Sequence, residues 1–259
     1  MGGPVFQILA GAGSGLVGGL LSGMFGIGGG IVLVPLLALA LRLDQHQAQG
    51  VTLAAMLLPN SLPAVLHYRK HGVPIQWRLV AWMMLGFLPG ILGASWLANR
   101  IPDTPLRLGF AAFLLLLALQ TLRAKPSLQV LENAQARPGV DLRVGFLIGV
   151  TGGVAAGLLG IGGGVVMIPL MIWWLRLPQR EAQLQSLAML LPPLGLPGVL
   201  VYATAQGGLP WLLLAGVAVG FALGAYLGAR ISTAMNTVRL GRGFAILLGL
   251  MAVLMAWRR

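Results

Sequence analysis

The sequence predicts an all-α integral membrane protein built from two inverted repeats of about five helical segments each. Composition is the first of three observations behind this: of 259 residues, 58% are hydrophobic and only 8% charged, where a soluble domain carries roughly a quarter charged residues. The second is self-similarity. Gly30 matches Gly164, Pro35 matches Pro169, Gln49 matches Gln183, Tyr68 matches Tyr202 and Trp77 matches Trp211, each 134 positions apart, so one unit is used twice. The third is a doubled interruption, Phe25-Gly26-Ile27-Gly28-Gly29-Gly30 and Leu159-Gly160-Ile161-Gly162-Gly163-Gly164, set within long apolar runs.

Glycine holds a helix poorly, and a broken backbone at membrane depth survives only where it is buried in protein or lines a wet cavity. A pair of such breaks, one per half, points to a transporter site built between the repeats.

Each unit reads as five apolar stretches, 5–24, 31–41, 50–68, 79–98 and 106–122 in the first, with counterparts in the second. The first stretch carries glycine at every fourth position, Gly11, Gly15, Gly19 and Gly23, repeated as Gly145, Gly149, Gly153 and Gly157. Small residues at that spacing let membrane helices meet backbone to backbone, and packing alone is reason enough for these ladders. The second stretch cannot cross a hydrocarbon core of about 30 Å alone, so the first two stretches of each unit are expected to form a short broken hairpin at the triple glycine. The third and fourth are long enough, or nearly so, to span. In the short fifth stretch, Arg107 and Arg242 would have to snorkel. Arg123 to Arg143, with Pro126, Glu132 and Pro138, is the most polar segment and reads as a linker. The chain thus divides into a first membrane repeat over 1–123, a polar linker over 124–142 and a second repeat over 143–259.

Charge decides the orientation. If the first two stretches made one crossing, the basic residues would divide nine to eight between the two sides. If they go in and return, one side collects Arg69, Lys70, Arg78, Arg123, Lys125, Arg137, Arg143, Arg176, Arg180, Arg230, Arg239 and Arg242, twelve of the 17. Excess Lys and Arg marks the cytoplasmic face, which makes the repeats inverted, with the linker inside and both termini outside. The net charge of +12 then reflects orientation and anionic lipid, and nucleic acid is excluded as a partner. With no cysteine, disulfides, thiolate metal sites and cysteine catalysis are excluded. The start, Met1-Gly2-Gly3-Pro4, lacks the basic region of a signal peptide, so the N-terminal segment is expected to be retained.

Polar residues beside the breaks are the candidate substrate ligands. Gln49 and Gln183, with Thr52 and Ser186, keep amide and hydroxyl donors at equivalent places, and Asn60 and Ser61 lie deeper in unit one only. Helices restarting after Gly28, Gly29 and Gly30, and after Gly162, Gly163 and Gly164, would aim free N–H groups and a positive dipole end at the same region. Such groups attract an anion. The plainer alternative is that the glycines only permit tight packing and that Thr52 and Ser186 bond back to their own helices.

All five carboxylates fall in or next to loops, so the usual intramembrane marker of a proton relay or cation path is missing. That argues against a metal-ion carrier, and no metal or cofactor is expected. Moving an anion outward across an inside-negative membrane gains about 2.3 kcal/mol per charge per 100 mV, so export needs no coupling ion. Gly13-Ser14-Gly15-Leu16-Val17-Gly18 fits a dinucleotide glycine spacing but lies in an apolar run with no preceding strand. Ser14 has no evident base among His46, His67 and His71, so an enzyme is not expected.

The doubled G-x-G-G-G followed by proline, with the Gln/Glu-Ala-x-x-x-Thr/Ser-Leu that follows in both halves, resembles the sulfite exporter TauE/SafE family of bacterial membrane permeases. The likeness covers nearly the whole chain. It implies a multi-pass inner-membrane exporter of small sulfur-containing anions such as sulfite or organosulfonates, with Gly28 to Gly30, Thr52, Gly162 to Gly164 and Ser186 along the substrate path. Where that family often has Gly-Thr-Ser-Leu, this chain has Gly50-Val51-Thr52-Leu53 and Leu184-Gln185-Ser186-Leu187. The expected partners are a small anionic substrate and the lipid bilayer, with a homodimer allowed. The alternatives are a permease for another small anion or a metal ion and, from a different class, an intramembrane enzyme.

Overall fold

The computed structural model describes residues 3–25, 30–57, 65–66, 69–70, 72–123, 141–234 and 237–257. Gly28, Gly29, Asn60, Ser61, Tyr68 and most of the linker lie outside them. Among the described residues there are eleven helices and no strand: α1 Pro4–Phe25, α2 Gly30–Ala40, α3 Gln45–Ala55, α4 Trp77–Ala98, α5 Asp103–Arg123, α6 Leu142–Leu159, α7 Gly164–Trp174, α8 Gln179–Met189, α9 Leu196–Ala205, α10 Trp211–Ala234 and α11 Thr237–Trp257. Five of them, α1, α4, α5, α6 and α10, contain stretches long and apolar enough to cross a membrane. Leu85, Leu92 and Trp96 on α4 and Val219, Leu223 and Tyr226 on α10 are exposed, as helices require whose solvent is hydrocarbon.

The internal repeat is carried through to the helix boundaries. Shifting α2, α3 and α5 by 134 residues gives the bounds of α7, α8 and α11, and α4 and α10 start at the equivalent Trp77 and Trp211. Even an unusual backbone state recurs: Arg42 and Arg176, just past α2 and α7, both sit at left-handed φ, 54° and 52°, a region non-glycine residues seldom occupy.

The glycine ladders lock the halves together crosswise. On α1, Gly11 faces Leu213 and Val217, Gly15 faces Val217 and Phe221, and Gly19 faces Phe221 and Ala225 of α10. The numbering rises in step, so α1 and α10 run parallel. Gly86 and Gly90 of α4 likewise meet Phe146, Val150 and Val154, while Gly153 and Gly157 of α6 meet Phe87 and Ile91. The first helix of each unit is thus seated on the helix of the other unit's fourth apolar stretch, so close that a methyl group on the ladder glycines would fall on the partner's carbonyls.

The short helices turn back along the long ones. Gly18 of α1 faces Leu33 of α2, and the equivalent Gly152 of α6 faces Met167 of α7. Because α2 is apolar all round, it is buried in protein, with Ile31, Val32, Leu33 and Val34 all covered.

Two expectations are corrected. The third apolar stretch is not one continuous helix: in unit two it divides into α8 and α9, because Pro192 and Pro193 cannot supply the N–H groups a continuous helix needs. Its helix also begins earlier than the apolar run, at Gln45 and Gln179, where Asp44 caps α3 by accepting from the Gln47 N–H at 2.7 Å. Arg107 is buried, with Nη1 3.9 Å from Asp103 Oδ2 one turn earlier, so its side chain runs back toward the start of α5.

Candidate functional site

α6 ends because Gly160, at φ 72°, leaves the right-handed path, and Gly162 and Gly163, at φ 76° and 70°, keep the chain out of it until α7 restarts at Gly164. Glycine takes this left-handed region without the strain a Cβ imposes. At the restart the N–H groups of Gly164, Val166 and Met167 turn back to the Gly162 and Gly163 carbonyls at 2.8, 3.0 and 3.1 Å, while the ending leaves last-turn carbonyls of α6 without helical donors.

The tip of the other unit meets this break. A methyl group on Gly30, the first residue of α2, would overlap the Ile161 Cα and lie 2.7 Å from the Gly160 carbonyl oxygen. Gly160 to Gly163 are themselves buried. Of the predicted glycines, Gly30 and Gly162 to Gly164 therefore gather at one junction between the repeats.

α3 lays one face across it. Gln49 presses on Gly160, 2.9 Å from where a methyl group would sit, and Met56, seven residues on, presses on Gly162. Thr52 lies between them on the same helical face, since positions three or four apart share a side. It is fully buried, and among the described residues its hydroxyl has no hydrogen-bond partner, so the alternative in which Thr52 bonds back to its own helix does not hold. Such a group is costly to leave unpaired.

Both amide atoms of Gln49 are bonded to protein partners. Its Nε2 donates to the Leu158 carbonyl at 2.9 Å, and its Oε1 accepts from the Tyr202 hydroxyl at 2.6 Å. The same hydroxyl lies 2.7 Å from the Gly157 carbonyl. In unit two, Ser186 is buried with its Oγ 3.1 Å from where a methyl group on Gly164 would sit, whereas Gln183 is only partly buried. The fully buried amide on α8 is instead Gln185, which accepts from the Gln76 N–H and donates to the Pro74 carbonyl, both at 3.0 Å, tying α8 to the segment before α4.

Sequence reasoning missed Tyr202 and Ser95. Tyr202 was legible only as half of a repeated pair. Ser95, on α4, carries a second fully buried hydroxyl without a hydrogen bond, close to Gly157 and Gly198.

One polar cluster lies apart from the junction. Asp44, His46 and Asp103 bring potential ligand atoms within 4.8 Å of one another. These groups already hold backbone: His46 Nε2 lies 3.0 Å from the Ala98 carbonyl and 3.1 Å from that of Ile101, Asp103 accepts from the Gln45 N–H, and Asp44 caps α3. Together they join the start of α3 to the turn between α4 and α5.

The chain matches the sulfite exporter TauE/SafE family over residues 11–255. It is 30% identical over 229 residues to the probable membrane transporter protein YdhB of Bacillus subtilis, covering 85% of this chain and 88% of that protein. A probable membrane transporter protein of Xylella fastidiosa is 28% identical over 250 residues, 95% of this chain and 94% of its own. No solved structure matches. A multi-pass helical chain in which the start of α2 meets the glycine break after α6, matched nearly end to end in this way, belongs to the sulfite exporter TauE/SafE family of membrane transporters.

Proposed function

We propose that the protein exports small sulfur-containing anions, sulfite or organosulfonates, across the cell inner membrane by alternating access between two inverted repeats. The observation that carries this is the junction where Gly30 meets Gly160 and Ile161 under the unpaired hydroxyl of Thr52. The side chains named there are amide, hydroxyl and thioether groups, with the N-terminal end of α7 beside them. Uncharged donors and a positive dipole end suit a small oxyanion, which presents several acceptor oxygens and little else. Thr52, Ser186 and the start of α7 would hold it.

Inversion is supported by where equivalent helices end up along α4, which is about 33 Å long. At the C-terminal end of α4, His46 near the start of α3 meets the carbonyls of Ala98 and Ile101. At the N-terminal end, Gln185 of α8, the counterpart of α3, meets Pro74 and Gln76. A same-sense repeat would put both at one end. The parallel seating of α1 on α10 agrees, because Gln206, just before α10, reaches Asn99 just after α4, which sets the start of α10 at the finish of α4.

Flux of sulfite, taurine, acetate and divalent cations into proteoliposomes tests the assignment. Sulfur anions are expected to move and divalent cations not; the reverse order overturns it. Thr52→Val sharpens the test: removing an unpaired buried hydroxyl is expected to leave the thermal midpoint unchanged or raised, by about 1 kcal/mol of stability, while sulfite flux falls at least tenfold. Undiminished flux in Thr52→Val would remove that side chain from the path.

A further inference from the structure

The break that creates the junction also creates a difficulty. Where α6 stops at Gly160, the carbonyls of its last turn lose their helical donors; the Gly160 N–H returns to Ala156 at 2.8 Å, but Gly157 and Leu158 need donors from elsewhere. Gln49 on α3 gives an Nε2–H to Leu158 at 2.9 Å. The single hydroxyl proton of Tyr202 on α9 faces two acceptors, Gln49 Oε1 at 2.6 Å and the Gly157 carbonyl at 2.7 Å, and is shared between them. Both side chains are fully buried, and Gly50 is held against Tyr202, with room for no methyl group beyond 3.0 Å from the Tyr202 Cβ.

We propose that Tyr202 is a positioning residue for transport: with Gln49 it clasps α3 of the first repeat onto the α6 break of the second, and release of this clasp is what uncovers Thr52 to an anion. The inference rests on the reading of the junction as the substrate site. Three features support it. In this arrangement both amide atoms of Gln49 are bonded to protein, Nε2 to Leu158 and Oε1 to Tyr202, so the side chain here braces α3 against the end of α6. The carbonyls it covers form the negative end of the α6 dipole, which would repel an anion beside the attractive start of α7; the clasp masks the first and leaves the second. Finally, the clasp spans the two repeats, through a hydrogen bond between residues 153 positions apart, so relative movement of the repeats must break or carry it. The sequence has the same two residue types one repeat away, Tyr68 and Gln183.

The absence of cysteine permits a test that needs no knowledge of the cargo. Thr52→Cys is introduced as the single thiol in the full chain, purified in detergent, and its modification by an anionic methanethiosulfonate reagent is timed. With Tyr202 present the thiol is expected to react slowly. With Tyr202→Phe it is expected to react about three- to tenfold faster, the shift that loss of one buried neutral hydrogen bond gives a closed-to-open equilibrium. Gln49→Met, of similar length and without the amide, should accelerate it as well, and the pair together should fall short of the product of the two effects, because the Tyr202–Gln49 bond is lost in either. Tyr226→Phe, on the exposed face of α10, should leave the rate as it was. An unchanged rate in Tyr202→Phe, or full additivity of the two substitutions, overturns the clasp. If Tyr202→Phe fails to fold, Gln49→Met by itself decides, with an unchanged rate again the refuting result. Protection of the thiol by sulfite is scored separately: its absence counts against the anion site and leaves the clasp standing.

Discussion

Glycines that look alike in the motif do different things. Gly163 sits at φ 70° with the Gly152 carbonyl and Phe87 closing on it, whereas Gly164 begins α7 with ordinary backbone and only the Ser186 hydroxyl within reach. Gly163→Ala is therefore expected to lose about 1–2 kcal/mol to the left-handed backbone alone, with overlap against Gly152 added. Gly164→Ala should fold normally and act through the displaced Ser186, seen as lower sulfite flux at an unchanged thermal midpoint. A midpoint drop of similar size in both would show that the two positions are not distinguished by backbone geometry. From the residue string, the motif's location and its break were readable. Which glycine is turned left-handed was not, because φ depends on where α7 must restart against α3. The orphaned hydroxyl of Thr52 was unreadable for the same reason: a threonine on an apolar face bonds its own helix unless packing holds it away.

At the scale of the helix, ladders spaced by four residues told of close packing but not of the partner. α1 was free, from sequence, to pair with any small-residue face; it takes α10 because the ladder Gly216, Gly220, Gly224 and Gly228 offers the complementary groove, its members meeting Ile8, Ala12, Leu16 and Leu20 of α1. Gly220→Val is expected to drive these helices apart, destabilising the protein by about 1–3 kcal/mol as overpacked sites do. Gly93→Ala, which has open space around it on the outer side of α4, should stay within about 0.5 kcal/mol of the unsubstituted protein. Thermal unfolding in detergent compares the two, and equal losses would refute the assigned seams. Two of the long helices also pair an aromatic with a cation four residues on: Arg100, just past α4, stacks over Trp96 at 3.4 Å, and Arg230 of α10 lies over Tyr226 at 4.7 Å, a pairing that suits the headgroup boundary.

For the whole molecule, the decisive question is whether equivalent positions face opposite sides of the membrane. Ala40 and Trp174 are the last residues of α2 and α7 and are both exposed. As single cysteines in the cysteine-free chain, Ala40→Cys is expected to react with an impermeant thiol reagent from outside the cell and Trp174→Cys only after the membrane is opened. Reaction of both from the same side would overturn the inverted arrangement and the alternating access built on it. Sequence by itself determined that the chain is helical and membrane-embedded, that it is one unit used twice, and where both helices break, because hydropathy, self-similarity and glycine content are properties of the string. Tertiary structure alone decided that the start of α2 meets the break after α6, that Tyr202 and Gln49 bond to the end of α6, and that Arg107 is buried beside Asp103. These are contacts between helices far apart in the chain, and in a membrane, where lipid solvates every apolar face alike, hydrophobic pattern cannot choose among partners; only the fit of small residues and the need to satisfy each broken helix end can.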